Sequence, residues 1–123
     1  MIQILSVGTG GFVGAVLRFL MGKLPFKEMT IFPVNTLLIN VIGAFVIGIV
    51  VAAGDRYATA DSNLVLFLKV GLCGGFTTFS TFSLESFALI QAGHYLVFVA
   101  YTVSSVVLCL LAVWLGYMAA VAF

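Results

Sequence analysis

The chain is predicted to be an all-α membrane protein of four transmembrane helices, the third broken in mid-membrane. Three observations carry that prediction. Apolar residues make up 63% of its 123 residues and charged residues only 7%, against roughly 25% charged in a soluble domain, so there is too little polar surface to cover a globule in water. The apolar residues fall into four runs, each near the ~20 residues a helix needs to cross the hydrocarbon. Within the third run two adjacent glycines are followed at once by hydroxyl residues, a pattern that ends one helix and starts another.

The first span is expected at residues 2–21, ending at Gly22-Lys23-Leu24-Pro25. Its glycines Gly8, Gly10, Gly11 and Gly14 include Gly10-x-x-x-Gly14, a small-residue face that lets helix backbones approach closely. The same run superficially resembles a nucleotide-binding turn, but no strand precedes it and no suitably placed acid follows. No cationic segment precedes the apolar stretch, which is longer than a signal peptide's, so no cleaved signal is expected. Arg18, near the end of this span, either snorkels to the interface or draws anions into a vestibule.

The second span is expected at residues 33–53, with Pro33 at its start, where a missing N–H costs nothing. Thr36 and Asn40 stand four residues apart on one face, continued by Gly43. Asn40 brings two N–H donors, suited either to a dehydrating anion or to an interhelical hydrogen bond worth about 1 kcal/mol or less.

The third span, residues 64–91, contains Gly74-Gly75 followed by Thr77, Thr78, Ser80 and Thr81. Glycine at one helix end and a Thr or Ser N-cap at the next predict a break. Broken backbone at that depth survives only when buried in protein or lining water. Carbonyls freed there favour a cation and N–H groups favour an anion. Phe76, Phe79 and Phe82 recur every three residues, as one aligned stripe of a helix. Ring edges are electropositive and can line an anion path without a full charge that would trap the ion. Glu85, one turn beyond, is either a hydrogen-bond anchor or part of a wet vestibule, because a bare buried carboxylate is costly.

The fourth span, residues 95–121, carries Tyr101, Ser105 and Cys109 at successive four-residue steps, a polar track on one face. The connections are short, at residues 23–32, 57–63 and 92–94. Tyr57, Tyr95, Trp114 and Tyr117 stand near helix ends, where an aromatic belt belongs. The whole chain reads as a single transmembrane domain, 1–123.

Charge excludes some functions. A net charge of +1 leaves no clustered basic face for a nucleic acid. Cys73 and Cys109 lie in apolar runs and read as small buried hydrophobes, not a disulfide or metal pair. One side of the membrane would carry Arg56 and Lys69, the other Lys23, Lys27 and an outward Arg18. So small a difference barely orients the chain, which is compatible with insertion in both directions as an antiparallel dimer.

Three segments resemble the small fluoride channels of the CrcB-type, or Fluc, family: Gly10-Gly-Phe-Val-Gly-Ala-Val-Leu-Arg18, Asn35-Thr-Leu-Leu-Ile-Asn-Val-Ile-Gly43, and Gly71-Leu-Cys-Gly-Gly-Phe-Thr-Thr-Phe-Ser-Thr-Phe-Ser-Leu-Glu85. The third is highly specific, and similarity in length and span number covers the chain. The resemblance implies a dual-topology, antiparallel homodimer in the cell's inner membrane, with two fluoride pores that confer fluoride resistance. It implies pore residues at Asn40, Phe79, Phe82, Thr36, Ser83, Glu85, Tyr101, Ser105 and Arg18. It also implies a structural sodium ion at the dimer centre, held by backbone carbonyls of Gly74 and Thr77. Cys109 stands where a hydroxyl is expected, and a thiol is the weaker donor.

Two other classes compete. A four-span proton-coupled multidrug exporter would use Glu85 as its proton carrier, but its kind also places an acid in the first span, and none is there. A membrane enzyme would need converging His, Asp or Cys residues, whereas the lone histidine, His94, is in a connection.

Overall fold

A computed structural model describes residues 1–57 and 62–123. Among them are four helices long and apolar enough to cross a membrane: Ile2–Met29, Val34–Arg56, Asn63–Gln91 and Tyr95–Ala122. The chain is a multi-pass, all-α membrane protein. The elements are α1 (Ile2–Met21), a short α2 (Phe26–Met29), α3 (Val34–Arg56), α4 (Asn63–Leu66), a π-helical stretch (Phe67–Cys73), α5 (Gly74–Phe76), α6 (Phe79–Gln91) and α7 (Tyr95–Ala122). The third span therefore comprises α4, the π-helical stretch, α5 and α6, and it is bent.

The expected span limits hold to within a few residues, with α3 extending to Arg56. The connection at 23–32 contains α2. Asn35 fixes it: Nδ2 donates to the carbonyls of Gly22 (3.1 Å) and Leu24 (2.9 Å), tying the end of α1 to the start of α3. The connection at 57–63 falls largely outside the described residues. At 92–94 the turn needs a glycine, since Gly93 has φ 79°. The N–H groups of Gly93 and His94 return to Ile90 and Leu89 (3.0 and 2.9 Å), closing the end of α6 as a Schellman motif.

Helices in lipid gain no hydrophobic drive from meeting one another, so close packing has to hold them. Here α1 packs on the upstream half of the third span, and α3 on α7. A Cβ added to Gly75 would stand 2.6 Å from the Gly11 carbonyl oxygen, and one on Gly14 would stand 2.8 Å from the Phe76 nitrogen. Glycine is thus required for the α1 crossing. Between α3 and α7, Gly48 and Gly116 serve likewise, each facing the other helix's backbone. Large apolar side chains such as Ile4, Phe12, Leu96 and Trp114 point outward, as a lipid solvent allows.

Candidate functional site

The break lies at Thr77–Thr78, not at the glycine pair. Gly74 keeps helical angles (φ −63°, ψ −38°), whereas Thr77 (−80°, 159°) and Thr78 (−150°, 118°) are extended. The glycine pair was expected to end the first half-helix by capping it. Instead the close approach to α1 demands Gly75, and the chain leaves the helix three residues after Gly74. The expected hydroxyl N-cap is present: Thr78 Oγ1 accepts from the Thr81 N–H at 3.1 Å. Thr77 closes the upstream half, donating from both its N–H (3.0 Å) and its hydroxyl (2.9 Å) to the Cys73 carbonyl.

An extended peptide in mid-membrane leaves polar groups that lipid cannot satisfy. Asn40 on α3 supplies both partners at once. Its Nδ2 donates to the Thr78 carbonyl (3.1 Å), and its Oδ1 accepts from the Thr78 N–H (2.8 Å). In a continuous α-helix that N–H would bond the carbonyl four residues earlier, at Gly74. The Gly74 carbonyl is thereby released from the helical ladder.

The break corrects the phenylalanine stripe. Phe76 is buried (9% exposed), whereas Phe79 is 78% exposed. Helical phase is lost across two extended residues, so Phe76 joins the core beside Gly43 while only Phe79 and Phe82, both in α6, remain aligned. Their ring centroids are 5.6 Å apart. Phe82 continues to Tyr101 at 5.1 Å, and Tyr101 meets the edge of Phe32 at 5.5 Å and 78°.

Next to the break is an open cavity of about 400 Å³. Asn40, Gly74, Thr77, Phe79, Phe82 and Ser105 line it, joined by Cys109 and Lys69. Three different spans thus converge there. Ser105 is 8% exposed, and its Oγ has no hydrogen-bond partner among the described residues. The cavity is the largest gathering of the sequence-selected residues, but it does not include all of them.

Glu85, Thr36 and Tyr101 form a separate node. The carboxylate Oε1 accepts from the Thr36 hydroxyl and, at 3.5 Å, from the Tyr101 hydroxyl. Tyr101 is completely buried. Of the two readings open for Glu85, anchoring describes its oxygen. Ser83 is exposed and donates to the Phe79 carbonyl within its own helix (2.9 Å), apart from the cavity. Arg18 does not snorkel outward. Its Nη1 donates to the Thr77 carbonyl at 3.5 Å, an acceptor that the broken helix leaves available.

Phe32, Lys69 and the buried Ser86 were not singled out for the site. Phe32 belongs to a connection, and in the sequence Lys69 bears only on orientation. Among the described residues no group of three His, Cys, Asp or Glu could hold a metal ion. Cys73 and Cys109 are both free thiols. A cation at the break would be held by neutral oxygens, either backbone carbonyls or the Thr77 and Thr78 hydroxyls. The released Gly74 carbonyl fits that role. The Thr77 carbonyl keeps a second lone pair, although the Arg18 guanidinium directed to the first opposes a further cation there.

A four-span bundle in which a broken helix and its neighbours turn backbone, amide, hydroxyl and aromatic groups toward an open cavity has the build of a membrane conduction protein. The chain belongs to the CrcB family: residues 5–117 match the family described as CrcB-like protein, Camphor Resistance. It is 46% identical over 121 residues to the fluoride-specific ion channel FluC of Ruminiclostridium cellulolyticum, covering 98% of this chain and 93% of that one. It is 43% identical over 121 residues to the fluoride-specific ion channel FluC of Geobacter sulfurreducens, covering 98% of both chains. The FluC of Azobacteroides pseudotrichonymphae is 43% identical over 116 residues, with 94% of this chain and 93% of that one covered.

Proposed function

We propose that this protein is a passive, fluoride-selective channel, and that two copies assemble antiparallel to form two pores in the cell's inner membrane. The observation that carries this reading is the convergence of Asn40, Phe79, Phe82 and Ser105 on one cavity beside the broken span, with no carboxylate among the described lining residues. The names of the relatives supply the ion.

The cavity chemistry suits a small anion that sheds water. Asn40 spends one amide hydrogen on Thr78, leaving the second for an ion. Ser105 brings an unpartnered hydroxyl. Phe79 and Phe82 offer positive ring edges without a full charge. Glu85, held by Thr36 and Tyr101, steadies the ring against which Phe82 packs. The cavity's openness supports completion by a second subunit, and the weak charge bias supports opposite orientations of the two. A sodium ion at the dimer centre would be held by the Gly74 and Thr77 carbonyls from both copies, supplying a fixed positive charge. The exporter reading is disfavoured by Glu85 itself, whose Oε1 is engaged and which is not among the cavity's lining residues.

Efflux from liposomes containing the purified protein tests this. Fluoride should leave without a proton gradient while chloride is largely retained. Equal loss of both ions, or transport driven only by a proton gradient, would overturn the reading.

A further inference from the structure

Among the described residues, the cavity beside the break is lined by one charged side chain, Lys69. No Asp or Glu is among its described lining residues. Lys69 is exposed and stands just over one turn before Gly74, at the cavity's edge in the π-helical stretch. Three of the chain's other cations are committed elsewhere. Arg18 is directed to the Thr77 carbonyl, Lys23 Nζ lies over the Phe19 ring at 4.6 Å, and the Arg56 guanidinium lies 5.9 Å from the Tyr57 ring centroid. Of the two roles the sequence leaves open for Arg18, snorkelling and anion attraction, neither describes its contact with the Thr77 carbonyl.

We propose that Lys69 is the residue that recruits fluoride to the pore and sets its apparent affinity. The proposal rests on the channel reading above. A cation beside low-dielectric walls raises the local concentration of anions. An ammonium is compact and strongly hydrated, so at an exposed edge it attracts without trapping. The donors that take over from water, Asn40 and Ser105, line the same cavity and are less exposed than Lys69. For an ion ~8 Å from the ammonium, in surroundings between bulk water and half that dielectric constant, the enrichment is about two- to sixfold.

The experiment is fluoride efflux from neutral-lipid liposomes, measured against fluoride concentration and against ionic strength set with an impermeant salt. Lys69→Gln should raise the half-saturating fluoride concentration by about two- to sixfold, preserve the maximal flux and flatten the dependence on ionic strength. Lys69→Arg should restore the wild-type curve, and Lys69→Glu should shift it further. In the wild type, added salt should raise the half-saturating concentration, which tests the field with no substitution. A Lys69→Glu channel with wild-type concentration and salt dependence would overturn the proposal. So would a Lys69→Gln channel that loses maximal flux at unchanged half-saturation, which would mark a structural lysine. In either case a conducting wild type leaves the channel reading standing, and a wild type that passes no fluoride removes both.

Discussion

Asn40 and Thr78 exchange two hydrogen bonds across the break in the third span, each acting once as donor and once as acceptor. The side-chain amide of one helix thereby replaces the backbone neighbours that the other has lost. This pair explains how extended backbone persists at membrane depth, and it makes Asn40 both a support of the break and a wall of the cavity.

Replacing Asn40 by Leu should therefore cost more than a pore contact. The Thr78 N–H and carbonyl would both be orphaned, at about 1–3 kcal/mol each. The expected outcome is a lower thermal unfolding temperature together with severely reduced fluoride flux. Asn40→Asp keeps the acceptor for the N–H and should be intermediate in stability. Thermal unfolding in detergent and liposome efflux measure the two effects separately.

Phe79→Ile should separate function from folding. The ring is 78% exposed in the single chain, so the isolated subunit should change stability by no more than about 0.5 kcal/mol. Flux should nevertheless fall sharply, because Ile keeps apolar bulk but has no positive ring edge. Phe82→Ile should lose flux and some stability, since Phe82 also packs on Tyr101. Wild-type efflux in both variants would reduce the pair to packing.

Gly75→Ala should weaken the fold itself. The added methyl would press on the Gly11 carbonyl at 2.6 Å, with backbone on both sides unable to yield; overpacking of this kind costs about 1–3 kcal/mol. Gly8→Ala meets nothing within 4 Å and should leave stability unchanged. Chemical unfolding of the two variants in the same detergent checks the contrast.

Sodium should stabilise the assembled form. With carbonyls of Gly74 and Thr77 as ligands, exchanging sodium for a large organic cation should lower the unfolding temperature and the dimer fraction. A site filled at a hundredfold above its dissociation constant contributes about 2.7 kcal/mol. Size-exclusion chromatography and thermal melting in matched salts provide the measurement. Identical behaviour in both salts would argue against the ion.

The sequence by itself determined the solvent, the four spans and the presence of a break, because these follow from local composition. Apolar run length sets a crossing, and a hydroxyl such as Thr78 caps a helix from within a few residues of it. Asn40, Ser105 and the Phe79–Phe82 pair were also legible, as polar or patterned residues where lipid penalises anything unpartnered. Only the tertiary structure decided where the break falls and what each of these groups touches. The glycine pair looked like a helix end, but Gly75 faces Gly11 on another span, and no local pattern reports that contact. Phe76 left the stripe because helical phase does not survive two extended residues. Arg18 turned inward and Lys69 took the cavity's edge for the same reason: a side chain's partner is set by which backbone lies beside it, and in a bundle that backbone comes from a distant part of the chain.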